Sequence, residues 1–198
     1  MKTILGRSRR AMILCLVAAF FAPLMATAAP NDDLGLPIGT VAPPIDTPLD
    51  QASKPRGMPS LMGEKGLVFV FYRSADWCPY CKRQLDDING GLAELEKRGY
   101  RVAALSYDKP EILAKFSAEH DIKFALLSDP ERKVIERYYV RDTQYTDKSN
   151  YHYGVPRPII FILDAKGVIK GKLFEETYKT RPPVAAVIAK IDELTAAK

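Results

Sequence analysis

Cys78 and Cys81 stand three residues apart in Trp77-Cys78-Pro79-Tyr80-Cys81, where a buried apolar run hands over to an amphipathic stretch. A thiol at a helix N-terminus faces unpaired backbone N–H groups and the positive end of the helix dipole, and both favour the thiolate. An ordinary thiol, of pKa about 8.5, is only a few per cent ionised at pH 7. The dipole contributes roughly 0.3–2 kcal/mol and so lowers that value by about one unit. Residues three apart on a helix are neighbours, so Cys81 can close a disulfide with Cys78 without unwinding the turn. Cys81 also belongs to an apolar stripe. The expectation is therefore an exposed, attacking Cys78 at the helix tip and a buried, resolving Cys81 behind it.

Two blander readings compete with redox chemistry. A passive bridge across so short a loop removes little unfolded-state entropy and makes a poor staple. A zinc site needs two further ligands, and the only histidines, His120 and His152, show no ligand spacing to each other. They read as surface or satisfied core residues, and neither a metal nor a cofactor is expected.

The elements that must position the cysteines follow from periodicity. Leu67 to Tyr72 is a continuous apolar run, the mark of a strand covered on both faces. Cys81, Leu85, Ile88, Leu92 and Leu95 recur at helical spacing, with Gly99 as the stop and Gly90-Gly91 as an interior weakness. Strands are predicted over 101–107, 124–127, 159–163 and 168–174, the last two joined by the turn Asp164–Gly167. Asp108 and Asp129 read as capping carboxylates of helices reaching about His120 and Tyr139, and Pro182 opens a final helix. Residues 30–65, rich in Pro and Gly, read as an extended lead-in with a short hairpin or two. Strand and helix alternate first and a hairpin comes last, which predicts an α/β fold with a central mixed sheet and helices on both faces.

Composition bounds the rest. The chain has 198 residues, 47% hydrophobic and 27% charged, which suits one globular domain and excludes a disordered tail or a disulfide-stapled miniature. Its net charge of +5 is no nucleic-acid footprint. Lys2, Arg7, Arg9 and Arg10 precede any acid, and removing those four bases from 29 leaves 25 against 24 acids, a net of +1. That basic start, the apolar run Ala11 to Leu24, and Ala26-Thr27-Ala28 before Ala29 follow the secretory pattern. The run falls short of the roughly 20 residues that span a bilayer. The expected organisation is a signal peptide over 1–28, cleaved after Ala28, and one domain over 29–198, delivered to the periplasm without stable membrane insertion. Cleavage would also remove Cys15 and leave only the Cys78/Cys81 pair.

The strand Leu67–Tyr72 followed by Trp77-Cys78-Pro79-Tyr80-Cys81-Lys82 resembles the thioredoxin superfamily. Ile38-Gly39-Thr40-Val41-Ala42-Pro43-Pro44, Leu127-Ser128-Asp129-Pro130 and Ile160–Gly167 resemble its redoxin branch, the alkyl hydroperoxide reductase/thiol-specific antioxidant family. The resemblance covers nearly all of residues 36–195. It implies a thioredoxin-like three-layer fold with a cis-proline facing the cysteines, Pro158 fitting best and Pro156 next. It also implies that Trp77, Pro79, Tyr80 and Arg157 surround the sulfur with Pro158 to bind substrate.

Peroxiredoxins carry Pro-x-x-x-Thr-x-x-Cys around the peroxide-reacting cysteine, and this chain has Phe71 and Ala75 at those positions. Thioredoxins bury an acid in the preceding strand, and Leu67–Tyr72 holds none, so no proton acceptor for Cys81 is identified. The leading expectation is a periplasmic thiol–disulfide oxidoreductase exchanging electrons with protein or small disulfides through Cys78/Cys81. The alternative is a thiol-dependent, antioxidant peroxidase with Cys78 peroxidatic and Cys81 resolving. A non-catalytic binding module is the third. Expected partners are disulfide- or thiol-containing proteins and an upstream electron donor or acceptor, with no nucleic acid. Tyr138, Tyr139, Tyr145, Tyr151 and Tyr153 are expected to form an aromatic rim for a protein partner, or else to pack on their own domain.

Overall fold

The computed structural model describes Met1, residues 34–45 and residues 48–196. Past Met1, the signal expected over 1–28 lies outside the described residues. Residues 31–198 form one compact unit, and the fold and site lie within it.

Among the described residues the strands are β1 (Leu49–Asp50), β2 (Gly66–Phe71), β3 (Tyr100–Ser106), β4 (Ala125–Ser128), β5 (Ile159–Asp164) and β6 (Ile169–Leu173). They lie in the order β1-β4-β3-β2-β5-β6. β2 runs parallel to β3 and β3 to β4, whereas β5, β6 and β1 join antiparallel, so the sheet is mixed as expected. All six residues of the central β2 are buried, which explains its unbroken apolar sequence: both faces are covered.

The helices are α1 (Met58–Leu61), α2 (Pro79–Gly90), α3 (Leu92–Lys97), α4 (Pro110–Glu119), α5 (Lys133–Arg137) and α6 (Val184–Ala196). On one face of the sheet Val68, Val70 and Tyr72 pack with Leu85, Ile88, Leu113, Phe116, Val187 and Ile191. On the other, Leu67, Phe69 and Phe71 pack with Leu61, Val134, Ile135 and Tyr138. This is the thioredoxin-like three-layer α/β arrangement.

The predicted stripe from Cys81 to Leu95 is present but broken at Gly90-Gly91 into α2 and α3. Gly91 is needed for close approach: a Cβ there would stand 2.4 Å from Val184 Cγ2 at the start of α6. Gly99 follows the end of α3 with φ +80°, the left-handed residue that commonly stops a helix.

Two local expectations are corrected. Asp108 does not cap α4. The cap is Lys109 with no side-chain bond, and the Asp108 carboxylate turns instead to the loop after β2. The helix begun by Asp129 is shorter than predicted, ending at Arg137, although Asp129 does accept from the Val134 and Ile135 amides, both at 2.9 Å. Among its described residues the lead-in segment supplies the two-residue β1, the single turn α1 and a short hairpin closed by the antiparallel bridge between Leu49 and Pro55.

Candidate active site

β2 ends at Phe71, and six residues carry the chain to Cys78, the N-cap of α2, in extended conformation. Pro79 follows in the first turn, where its missing N–H costs nothing. The Cys81 amide donates to Cys78 Sγ at 3.2 Å, so the sulfur occupies the place where a helix offers unpaired N–H groups. Cys78 and Cys81 are joined by a disulfide, their Cα atoms 5.3 Å apart.

Cys78 is not exposed, and this corrects the expected asymmetry: it is 2% accessible and Cys81 is fully buried. Cys78 belongs to the buried cluster on that face of the sheet, with Tyr72, Ala75 and Cys81. Two distant segments return to the motif. From one, Tyr151 and His152 pack edge-on against Trp77 at 5.6 and 4.6 Å between ring centres. Trp77 Nε1 donates to the Tyr107 hydroxyl, which donates in turn to the Tyr151 carbonyl, each at 3.0 Å. From the other segment, Arg181 brings Nη2 to 3.5 Å from Cys81 Sγ. Burial, and secondarily Arg73, lowers the Arg181 guanidinium to about 10.

The loop that presents Cys78 is held by Asp108. Its Oδ2 accepts from the Ala75 amide at 2.6 Å and the Ser106 hydroxyl at 2.9 Å, while Oδ1 accepts from the Ser74 hydroxyl at 2.9 Å. Burial pushes the Asp108 carboxyl above its ordinary value, and these hydrogen bonds only partly offset the rise. All three donors belong to the loop or to β3. Tyr72, deeper in the core, is likewise pushed up by burial, with Asp108 adding to the effect.

Arg73 is 1% exposed and pairs with Asp142 Oδ2 at 3.1 Å through Nη1. Its Nη2 donates to the Tyr145 hydroxyl at 3.0 Å, and its guanidinium lies over the rings of Trp77, Tyr145 and Tyr178. Burial, with Arg73 adding to it, lowers the pKa of the neighbouring His152.

Of the residues expected around the sulfur, Trp77 and Tyr80 are half-buried beside the pair and Pro79 is exposed. Pro158 lies one residue beyond the last β2–β5 partners, Phe71 and Ile159, at the end from which β2 runs toward the cysteines. Its peptide bond is trans, as are all those of the described residues, so the expected cis-proline at Pro158 or Pro156 is not present. A trans proline at a strand start fits because it has no N–H to leave unpaired in the ladder. The Arg157 amide donates to the Val140 carbonyl at 2.7 Å, and no hydrogen bond, ion pair or ring contact ties its side chain to the cysteines.

The five tyrosines divide. Tyr151 reaches the motif at Trp77, and Tyr145 meets Arg73 and His152 beside it; Tyr138 is buried against Phe69, Phe71 and Phe161 on the opposite face of the sheet. Tyr153 stacks with Arg132 and Tyr139 is exposed. His120 pairs with Asp86 at 2.8 Å and stacks on Phe116. Among the described residues no group of three or more His, Cys, Asp or Glu could hold a metal, and no helix is long and apolar enough to cross a membrane.

A disulfide formed within one turn at the head of a helix, on a central mixed sheet covered by helices, defines a thioredoxin-like redox protein. The AhpC/TSA family model matches residues 38–172, and the chain belongs to that family. Peroxiredoxin Bcp of Escherichia coli (strain K12) is 33% identical over 135 residues, 68% of this chain and 83% of that protein. A putative peroxiredoxin bcp of Haemophilus influenzae is 32% identical over 134 residues, with the same coverages. Among solved structures, peroxidoxin BcpB of Mycobacterium tuberculosis superposes with a TM-score of 0.67 at 19% identity, covering 83% of this chain and 99% of that one. Peroxiredoxin Q of Xanthomonas campestris gives 0.60 at 24%, covering 83% and 96%. At those identities the structural likeness speaks for the fold. The chain is an oxidoreductase of this family.

Proposed function

We propose that the protein is a thiol-dependent peroxidase in which Cys78 is oxidised by a hydroperoxide and Cys81 resolves it. The Cys78 thiolate attacks the near peroxide oxygen, the O–O bond breaks, and the far oxygen leaves as hydroxide or alkoxide and takes up a proton. Cys81 then attacks the sulfur of the Cys78 sulfenic acid; the S–S bond forms, the S–O bond breaks and water is released. An external thiol reductant reopens the disulfide.

The observation that carries this reading is Cys78 capping α2 in an AhpC/TSA fold with its sulfur almost wholly enclosed. A small hydroperoxide needs far less room at that sulfur than the backbone of a protein disulfide. Relatives named peroxiredoxin point the same way. The order of the two sequence expectations is thereby reversed.

Thiol–disulfide exchange remains the second reading. It is favoured by one observation, a Cys-x-x-Cys pair in one turn with Ala75 in place of threonine. Stopped-flow mixing separates the two, with Trp77, the only tryptophan, as the reporter beside Cys78. Reduced protein should consume hydrogen peroxide or an alkyl hydroperoxide orders of magnitude faster than free cysteine. Oxidation no faster than free cysteine, with rapid reaction toward a small disulfide, would overturn the peroxidase in favour of exchange.

The secretory pattern of residues 1–29 supports a periplasmic site of action, where disulfides persist unless actively reduced. Thiol-bearing proteins there are the proposed reductants.

A further inference from the structure

Arg181 is a half-buried cation without a carboxylate partner. Its Nη1 donates to the Thr180 carbonyl at 3.0 Å, its Nη2 sits 3.5 Å from Cys81 Sγ, and its Nε is buried without a partner. Among the described residues no carboxylate pairs with it. The groups that face it are Arg73, two residues past the end of β2, and the tyrosines Tyr80 of α2 and Tyr178 of its own segment, none of them a carboxylate. Arg83 of α2 lies over Tyr80, and Tyr72 is buried in the core on the cysteine side. The nearby acids are committed elsewhere: Asp142 to Arg73, Asp108 to Ser74, Ala75 and Ser106, and Asp87 to the Val184 amide at 2.6 Å. That last bond fixes the start of α6 on α2, and Pro182 and Pro183 leave the preceding backbone few conformations. Arg181 is thus held in place against a sulfur that, while the disulfide is closed, carries no charge. It also lies beyond residue 172, where the family match ends.

We infer that Arg181 is the electrostatic partner of Cys81, holding it as the thiolate whenever the disulfide is open. The inference rests on the part of the proposed function that makes Cys78 and Cys81 a redox pair, and not on the identity of the oxidant. When an external thiolate attacks Cys78 Sγ, the S–S bond breaks and its electron pair departs on Cys81 Sγ, beside the guanidinium. No proton has to be delivered there, and a leaving thiol of lower pKa leaves faster. In the oxidative direction the Cys81 thiolate attacks the Cys78 sulfenic sulfur, the S–S bond forms, and the S–O pair leaves as hydroxide, which takes a proton from solvent. A fixed cation then serves where β2 supplies no acid to accept the Cys81 proton.

The test isolates Cys81. In the full-length chain carrying Cys15→Ser and Cys78→Ser, serine can still cap α2, and ultraviolet thiolate absorbance against pH reads Cys81 alone. The Cys81 pKa is expected well below the ordinary value of about 8.5. Arg181→Met and Arg181→Gln should raise it by about one unit or more, as for loss of an opposite charge at this range. Arg181→Lys should restore most of the shift. An ordinary or raised Cys81 pKa with Arg181 in place overturns the inference without any variant at 181. An unchanged pKa in the Met and Gln variants, or a Lys variant as high as Met, also overturns it. A Cys81→Ser chain mixed with peroxide tests the peroxidase separately: failure there with the Arg181 shift present removes the oxidant and leaves this inference standing.

Discussion

Asp108 Oδ2 and the Ala75 amide stand 2.6 Å apart, and that bond ties the approach to Cys78 to the end of the neighbouring strand rather than to its own. The same carboxylate holds the Ser74 and Ser106 hydroxyls. It is therefore a support of the redox loop, reached from 33 residues further along the chain.

Removing that support should be costly. Asp108→Ala leaves three donors without their acceptor and is expected to lose about 2–4 kcal/mol in urea denaturation, with slower oxidation of Cys78 by peroxide. A loss under 1 kcal/mol with unchanged kinetics would contradict the supporting role.

Asp108→Asn tests the raised carboxyl itself. A group whose folded pKa is raised contributes stability that is fully present below its ordinary value of 3.8 and is lost as pH rises through the folded value. The wild-type stability minus that of Asp108→Asn should therefore shrink as pH climbs above 3.8 and then level off. Urea midpoints measured across that window check the sign; a widening gap would show a depressed carboxyl instead.

Arg73→Met should destabilise by about 3–5 kcal/mol, because it strands the buried Asp142 carboxylate. Arg73→Lys keeps the charge but lacks the fork that reaches Asp142 and Tyr145 together, so its loss should be smaller and still measurable. Thermal melts of both variants give the comparison.

Tyr151 is 66% exposed and packs on Trp77. Tyr151→Ser is expected to slow reduction of the disulfide by a protein dithiol while sparing reduction by dithiothreitol. Equal slowing by both would mean that the ring only packs the loop and is no docking surface.

Export is checked by the N-terminus of protein recovered from a bacterial periplasm. A mature chain beginning at Ala29 is expected, and one beginning at Met1 would refute cleavage.

The parts of the fold legible in the sequence were those set by local periodicity. Leu67–Tyr72 needs only its own apolar run to read as a buried strand, Gly90-Gly91 to read as a break, and Asp164–Gly167 as a turn. Cys78 and Cys81 were legible for the same reason, since one helical turn brings them together. Asp108 was not: an acid before Lys109-Pro110 looks like a cap, and only the parallel pairing of β2 with β3 reveals the loop it serves. Arg181 lies 100 residues from Cys81 and carries no local mark beyond the prolines that follow it. Tyr151 and His152 pack on Trp77, and Arg181 meets Cys81, through contacts that the motif's own neighbourhood in sequence cannot announce. The secretory reading and the substrate-binding assignment of Arg157 rest on pattern alone.

The notch at Gly91 has a reach beyond packing. Val184 sits in it, with its amide fastened to Asp87, so a single helix carries both sulfurs and also moors the backbone that delivers the guanidinium. Anything that lifted the C-terminal helix away, a side chain at position 91 for instance, would withdraw the cation from the disulfide while leaving the cysteines themselves untouched. A change in the packing between those two helices would thus, on the inference drawn for Arg181, alter the electrostatic setting of the disulfide with every residue of the motif in place.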